Sequence, residues 1–446
     1  MKRLLLPLVL TCVVSAFTVS PAVADVVAFV DTTVLPMDSD RVLENHTVLV
    51  EGDRITAVRP KDTITVPAGA QVIDGRGKFL MPGLGEMHGH NPSPGSSEDY
   101  VASIYLLYVA NGVTTVRSML GWPGQLELRE KVRTGQMLGP TLLLAGHSFS
   151  GQTVPSPESA IRRVKEQKGE GWDLLKVHPG VRRDVYDAMV RTAKEVEIEF
   201  SGHVPADVGL EHALRSGQTT IDHLDGYIEL LGAQDGPIDP ARLEAIVQLT
   251  LETKAWVVPT MVLWETILGA ADLSTMLAYP ELRYMPPAEV ERWRTGYERR
   301  TTAAGFNAHQ ARRIAENRKV LLRALAQNDV RILFGTDSPQ VFSVPGFSVH
   351  REMLAMVEAG LSNYAVLASA TRTVGDYLAA TDRFGQVAPG HRADLILLEA
   401  NPLDDVRHIS RRAGVLLRGQ WLPEEQLQAQ LRELEAKYRD GAGAAR

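Results

Sequence analysis

His88 and His90 open the chemistry that this sequence offers. They sit in Met87-His88-Gly89-His90, after the apolar run Phe79-Leu80-Met81-Pro82-Gly83-Leu84. On a strand, side chains two apart point the same way, so both imidazoles can face one metal ion. Such a pair also occurs on protein surfaces and carries little weight alone. Three later apolar runs repeat the theme, ending in Phe200-Ser201-Gly202-His203, Thr219-Thr220-Ile221-Asp222-His223 and Leu333-Phe334-Gly335-Thr336-Asp337. Imidazoles and a carboxylate gathered at strand ends suit Zn²⁺ or a similar divalent ion. Lys176 lies in Asp173-Leu174-Leu175-Lys176-Val177-His178. A lysine inside an apolar strand is costly unless paired. Its ammonium has no lone pair for a metal, so on the residues alone a salt-bridged interior lysine is the simpler reading.

The elements that must position these groups follow from pattern. Strand candidates end near His90, Met119, Ser148, His178, His203, Asp225, Thr260 and Ser338. Helical stretches at 98–110, 157–168, 182–195 and 207–216 separate the earlier ones. Eight β-then-α units predict an α/β fold, a (β/α)₈ TIM barrel over 83–383, with its chemistry at the C-terminal strand ends. Short β-branched runs in 25–82 and 384–423 predict a small β-sandwich-like domain built from both chain ends. The gap between strand seven (256–261) and strand eight (331–336) is too long for one helix. It predicts a helical insertion at 264–310 over the barrel mouth, carrying Trp264, Tyr284, Pro286, Pro287, Trp293 and Tyr297. That insertion is either a lid or substrate wall, or a packed decoration. The tail 424–446 reads as charged and helical, then frayed.

Composition narrows the class. The chain has 446 residues, 47 Lys+Arg, 54 Asp+Glu, a formal charge of −7 and one cysteine. A hydrophobic share of 44% excludes a disordered chain. The negative charge and the lack of a basic stripe argue against nucleic acid as a partner. Met1-Lys2-Arg3, an apolar run to Val19 and Ala22-Val23-Ala24 form the layout of a secretory signal peptide over residues 1–24. The protein is therefore expected to be exported, periplasmic or secreted, with no membrane span after cleavage. Cleavage would remove Cys12, the single cysteine, leaving no disulfide and no thiolate ligand.

The ordered set of motifs resembles the amidohydrolase superfamily. It is most similar to the exported, carboxylated-lysine binuclear members of the prolidase and imidazolonepropionase-like group. The resemblance covers about 26–421. It is carried by Met81-Pro82-Gly83-Leu84-Gly85-Glu86-Met87-His88-Gly89-His90, Leu175-Lys176-Val177, Gly202-His203, Asp222-His223, Gly335-Thr336-Asp337-Ser338 and the run from Gly385 to Leu395. It implies two divalent metal ions, with Zn²⁺ expected. His88, His90 and Asp337 would hold the more buried ion, and His203 and His223 the second. Lys176, carboxylated at its amine by CO₂, would bridge them. A hydroxide between the ions would be the nucleophile, and Asp337 the general base and then acid. The expected reaction is hydrolysis of an amide C–N bond in a small-molecule substrate, a dipeptide or an N-acyl amino acid.

Further residues are assigned around this set. His147 is expected to contact substrate, as a histidine at a similar place does in the related enzymes. Tyr227 would donate to the carbonyl oxygen, or is a loop tyrosine without a catalytic role. His178 is expected to hydrogen-bond a ligand. Arg117 either meets a substrate carboxylate or, the preferred reading, pairs with a loop acid. Val177-His178-Pro179-Gly180 departs from the small-residue stretch that many prolidase-like members carry, which leaves the specificity subgroup open. The rival readings are a lactonase or phosphotriesterase on the same site, a mononuclear deaminase, and a metal-bound exported binding protein without turnover. The sequence leaves room for a homo-oligomer.

Overall fold

The computed structural model describes residues 26–444. The expected signal peptide, with Cys12, lies outside the described residues. The N-terminal strands are β1 (Val26–Val34), β2 (Leu43–Glu51), β3 (Arg54–Pro60), β4 (Gln71–Asp74) and β5 (Phe79–Pro82). The central strands are β6 (Leu84–Gly89), β7 (Val113–Ser118), β8 (Thr141–Leu144), β9 (Leu174–Val177), β10 (Glu199–Gly202), β11 (Thr220–Asp222) and β12 (Trp256–Val258). The last three are β13 (Leu395–Leu398), β14 (Arg412–Leu417) and β15 (Gln420–Pro423).

Strands from both chain ends form one eight-stranded sheet, in the order β15-β14-β13-β5-β1-β2-β3, with β4 branching from β1. The junction of the two ends is antiparallel β5–β13, with Leu395 opposite Pro82 and Leu398 opposite Phe79. The expected sandwich is thus one hydrogen-bonded sheet rather than two. It nevertheless folds over on itself. Trp421 of β15 packs edge-on against Phe29 of β1, with ring centroids 5.4 Å apart. Four strand spacings in a flat sheet would hold them about 19 Å apart.

The central strands are parallel. β6-β7-β8 form one sheet and β9-β10-β11-β12 another. Isolated parallel bridges Ala145–Leu174 and Phe149–Val177 join the two. The expected eighth strand, 331–336, is not a regular strand. It still makes ladder bonds on both sides. Leu333 N donates to Val257 O (2.9 Å), while Met87 N donates to Phe334 O (2.8 Å) and Asp337 N to His88 O (2.6 Å). Its regularity is lost where Gly335 packs so closely on β6 that a Cβ would stand 3.0 Å from the His88 Cβ. Several strands stop earlier than the apolar runs do, at Leu144, Asp222 and Val258. The residues that follow keep single inter-strand bonds, as His223 N does to Val258 O (2.7 Å).

Helices follow where capping chemistry permits them. Ser97 caps Glu98–Ala110, accepting from Tyr100 N, and a Ser156/Ser159 capping box with Pro157 starts Pro157–Glu170. The long gap after β12 is filled by helices Met261–Leu268, Leu273–Leu277, Pro287–Thr301 and Ala308–Gln327 and a 3₁₀ turn at Pro280–Tyr284. The C-terminal helix, Glu424–Ala444, buries Leu427, Leu431 and Leu434 at helical spacing. No helix among the described residues is long and apolar enough to cross a membrane.

β5, β13 and β14 form the wall between two cores. Leu80, Leu395, Leu397 and Leu416 face the core of the end sheet. Met81, Ile396, Leu398, Val415 and Leu417 face the main core. This is the two-residue period of a strand buried on both faces. Arg392 pins the wall to the parallel strands. It donates to Asp394 Oδ2 (2.8 Å), to Asp382 and to Thr115 of β7, and is almost fully buried. Arg392→Ala would leave the Asp394 carboxylate buried without its charge partner. It is expected to lower stability by about 3–5 kcal/mol, read from the urea midpoint.

Candidate active site

β6, β9, β10, β11 and the 331–337 segment bring six side chains together. His88 lies one residue before the end of β6, and His90 follows the strand. His90 Nε2 lies 2.5 Å from Asp337 Oδ1, and His88 Nε2 lies 3.7 Å from the same oxygen. One ligand atom from each of these three residues lies within 4.8 Å of the other two, so they form a cluster able to hold a metal ion. Lys176 Nζ stands 3.1 Å from His88 Nε2. His223 Nε2 stands 3.6 Å from Asp337 Oδ2. The imidazole rings run on from one another, with centroids 4.4 Å apart for His88–His223 and 4.6 Å for His203–His223.

Local backbone geometry aims these groups. His223 and Asp337 both take positive φ, 64° and 60°. For residues other than glycine this conformation costs roughly 1–2 kcal/mol and persists only where the surroundings hold it. Gly202 closes β10 because the lysine needs its space. A Cβ there would meet Lys176 Cδ at 2.9 Å and Val177 O at 2.6 Å.

The electrostatics favour neutral imidazole, the metal-binding form. Burial, with the neighbouring Lys176 charge, holds His88 well below its ordinary pKa. Burial, with His88 and His203 nearby, does the same to His223. Burial also lowers the Lys176 pKa. The donor set fits a divalent cation: the buried Nε2 of His223 has no hydrogen-bond partner among the described residues. His88 Nδ1 and Asp222 Oδ2 approach to 2.9 Å but miss hydrogen-bond geometry, so this contact is an ion-dipole approach rather than a bond.

A second layer orients the rings. His203 Nδ1 pairs with Asp225 Oδ2 (2.6 Å) and His223 Nδ1 with Thr260 Oγ1 (2.8 Å). Glu86, two residues before His88 on the buried strand, accepts from His88 N (3.0 Å), Thr336 N (2.8 Å) and Thr336 Oγ1 (2.7 Å). It thus links both halves of the three-residue cluster. Burial pushes its carboxyl up to about 8, against those three donors. Asp225, Thr260 and Glu86 were missed in the sequence. The signal for Glu86 was a carboxylate alternating with His88 inside an apolar strand.

Other expected residues fare differently. Tyr227 is not brought to the site. It is fully buried in the main core, and its hydroxyl bonds Thr250 Oγ1 (2.9 Å). The helix Tyr227–Leu231 starts at this residue and turns the ring inward. His178 makes no side-chain hydrogen bond to a ligand. Its ring packs on that of His203, centroids 5.1 Å apart, because Asp225 already holds the His203 nitrogen. Burial and the Lys176 charge push its pKa down to about 2. His147 is half-buried, with its ring edge-on to Trp122 at 5.7 Å. Arg117 is fully buried. It donates to Met87 O (2.7 Å) and Thr220 Oγ1 (3.2 Å), and lies 3.5 Å from Asp222 Oδ1 and 3.8 Å from Glu199 Oε1. Its acids are therefore on strands, not on a loop.

Trp122 and His90 share a cleft of about 530 Å³ whose far side is formed by Pro286, Glu289 and Arg292 of the inserted helical stretch. Trp264 of the same stretch packs 5.7 Å from the His223 ring. Tyr284 instead stacks on Phe347, Trp293 packs on Phe342, and Tyr297 bonds Ala271 O. Another cleft, of about 470 Å³, lies by Trp256 and Arg331 at the opposite strand ends and contains none of these histidines.

Residues 79–422 match the model of the amidohydrolase family. The chain belongs to the amidohydrolase family. Two relatives share parts of the amidohydrolase's sequence. A dihydroorotase of Pediococcus pentosaceus is 28% identical over 194 residues, 41% of this chain and 45% of the relative. A 5-methylthioadenosine/S-adenosylhomocysteine deaminase of Symbiobacterium thermophilum is 46% identical over 141 residues, 31% of this chain and 30% of the relative. The chain thus spans less than half the length of either. Among solved structures, bottromycin amidohydrolase superposes with a TM-score of 0.74 at 24% identity, covering 93% of this chain and 91% of that one. A Xaa-Pro dipeptidase with bound methionine superposes with a TM-score of 0.66 at 19% identity, covering 89% and 100%. These likenesses show the shared fold.

The second layer is testable without turnover. Thr260→Val removes the hydroxyl that holds His223 and is expected to weaken zinc affinity about 10–100-fold. A metal-buffer titration reads this, with circular dichroism unchanged.

Proposed function

We propose that this amidohydrolase is an exported metallohydrolase that cleaves the amide bond of a dipeptide or an N-acyl amino acid. The observation that carries the reading is the convergence of His88, His90, Lys176, His203, His223 and Asp337 on one buried spot. The ladder bonds on both sides of 331–337 support a closed (β/α)₈ barrel as the scaffold. The signal-like N-terminus supports a periplasmic or secreted location.

The donor set is that of zinc chemistry. His88, His90 and Asp337 would hold one divalent ion and His203 and His223 a second. A carboxylated Lys176 would supply an oxygen to each, which its amine cannot. When bound, such ions lower the pKa of a water and polarise a carbonyl. The chain does the rest. Asp337 would hold its ion through one carboxylate oxygen, which leaves the other to take a proton from the attacking water and pass it to the departing nitrogen. His147 and Trp122 would bound the substrate, and the inserted helical stretch would wall the cleft. Burial of the cluster strengthens each of these interactions by excluding water.

A mononuclear deaminase is the second reading. It is favoured by the local match to a deaminase and by the tight three-residue group. Metal counting separates the two: two ions per chain support the first, one ion the second.

Two variants and a panel test the reading. Metal-replete protein is offered dipeptides, N-acyl amino acids, lactones and phosphotriesters, with products identified by mass. Cleavage of amides is expected, and turnover of lactones alone would refute it. Lys176→Ala is expected to lose one metal ion and most activity, with partial recovery in added short carboxylic acids. Asp337→Asn is expected to lower kcat by about 10²–10⁴-fold while the protein stays folded. Near wild-type rates in either variant, at full metal content, would contradict the mechanism.

A further inference from the structure

The cleft beside His90 has one buried group that the reaction above does not use. Asn91 follows His90, lines the cleft and is 5% exposed. Its backbone N–H donates to Ser118 Oγ (3.1 Å), and its Oδ1 accepts from the Tyr105 hydroxyl (3.0 Å). Tyr105 is itself fully buried, so the amide is held in place. Asn91 Nδ2 is buried and has no hydrogen-bond partner among the described residues. Leaving such a donor unpaired costs about 1–3 kcal/mol, which a bound oxygen acceptor would relieve.

The rest of the cleft says what kind of acceptor fits. Trp122, Leu120, Pro92, Pro286 and Pro339 line it with apolar surface. Its two charged residues, Glu289 and Arg292, are one turn apart on the helix Pro287–Thr301 and pair with each other. Among the described residues, no unpaired carboxylate remains there for a free ammonium group, and no unpaired cation for a carboxylate. Ser93, Ser96, Tyr100 and Gln340 complete the lining, so recognition in this cleft is by neutral polar groups beside the apolar surface.

We propose that this cleft is the acyl-side subsite and that it takes an N-acylated aminoacyl group with an apolar side chain. Asn91 Nδ2 donates to the carbonyl oxygen of the blocking group, and Trp122 packs on the side chain. The substrate class is then an N-blocked dipeptide rather than a free one. This rests on the amide-hydrolase reading. Water adds across the scissile bond, its hydroxyl to the acyl carbon and its hydrogen to the leaving nitrogen, and the blocking amide stays intact.

Two product acids test the subsite without turnover. N-acetylphenylalanine and 3-phenylpropanoate share a carboxylate and a ring but differ in the acetamido group. Calorimetry on metal-loaded wild-type protein is expected to show N-acetylphenylalanine binding about tenfold tighter. The difference should vanish in Asn91→Ala, with metal content unchanged. Asn91→Asp keeps the size of the side chain while replacing the donor with an acceptor, and should also abolish it; it answers the question if the alanine variant fails to fold. Equal affinities in the wild type, no binding of either acid, or a preference that survives both variants would overturn the proposal. Hydrolysis separates it from the broader reading. If the acid preference holds while no amide is cleaved, the reaction assignment falls and the subsite stands. If free dipeptides are cleaved faster than their N-acetyl forms, the subsite falls and the reaction stands.

Discussion

A lysine with no solvent exposure organises the centre of this molecule. Lys176 lies in the middle of a buried strand, and its nearest carboxylate, Asp222 Oδ2, is 3.8 Å away. An amine there is expensive unless its neighbours are chosen for it. Gly202 gives up its side chain to let the lysine pass. Asp222 is shared with Arg117, and the imidazole of His88 takes the closest approach at 3.1 Å. The proposed carbamate would turn this liability into a bridging ligand.

The scaffold answers that constraint by fixing the strands first. β5, β13 and β14 stand between two hydrophobic cores, and each residue along them commits to one side or the other. A slip of one residue would exchange the two cores, so the register is strongly determined. Arg392 then ties this wall to β7. The rigidity reaches the site through Glu86, which holds His88 and Thr336 together from within β6. The strained backbone at His223 and Asp337 is tolerated because such contacts over-determine it. Arg318, on the helix Ala308–Gln327, contributes by donating to the carbonyls of His223 and Pro259.

The ligand candidates were legible because strand periodicity and strand-end position are local properties. A histidine that ends an apolar run announces itself. Tyr227 looked equally well placed, four residues past His223, yet a short helix begins there and turns it into the core. His178 shared the inward face of Lys176 by parity, but its ring packs on that of His203 and makes no side-chain hydrogen bond among the described residues. Thr260 and Asn91 carried no signal at all. Their importance comes from partners far along the chain, His223 for one and Tyr105 for the other.

By itself, the sequence determined the family, the α/β alternation, the pairing of the two chain ends and the six side chains gathered at the site. The alternation and the strand-end histidines follow from residue type and spacing along single strands, whereas the family and the place of Lys176 among the six rest on the resemblance of the ordered motifs as a whole. Only the tertiary structure decided which ring nitrogen is held by which oxygen, that Arg117 is spent on strand acids, and that the inserted helices border the cleft beside His90. Those outcomes depend on competition among groups distant in the chain for the same hydrogen-bonding partner or the same volume. That competition is settled only when the cores close.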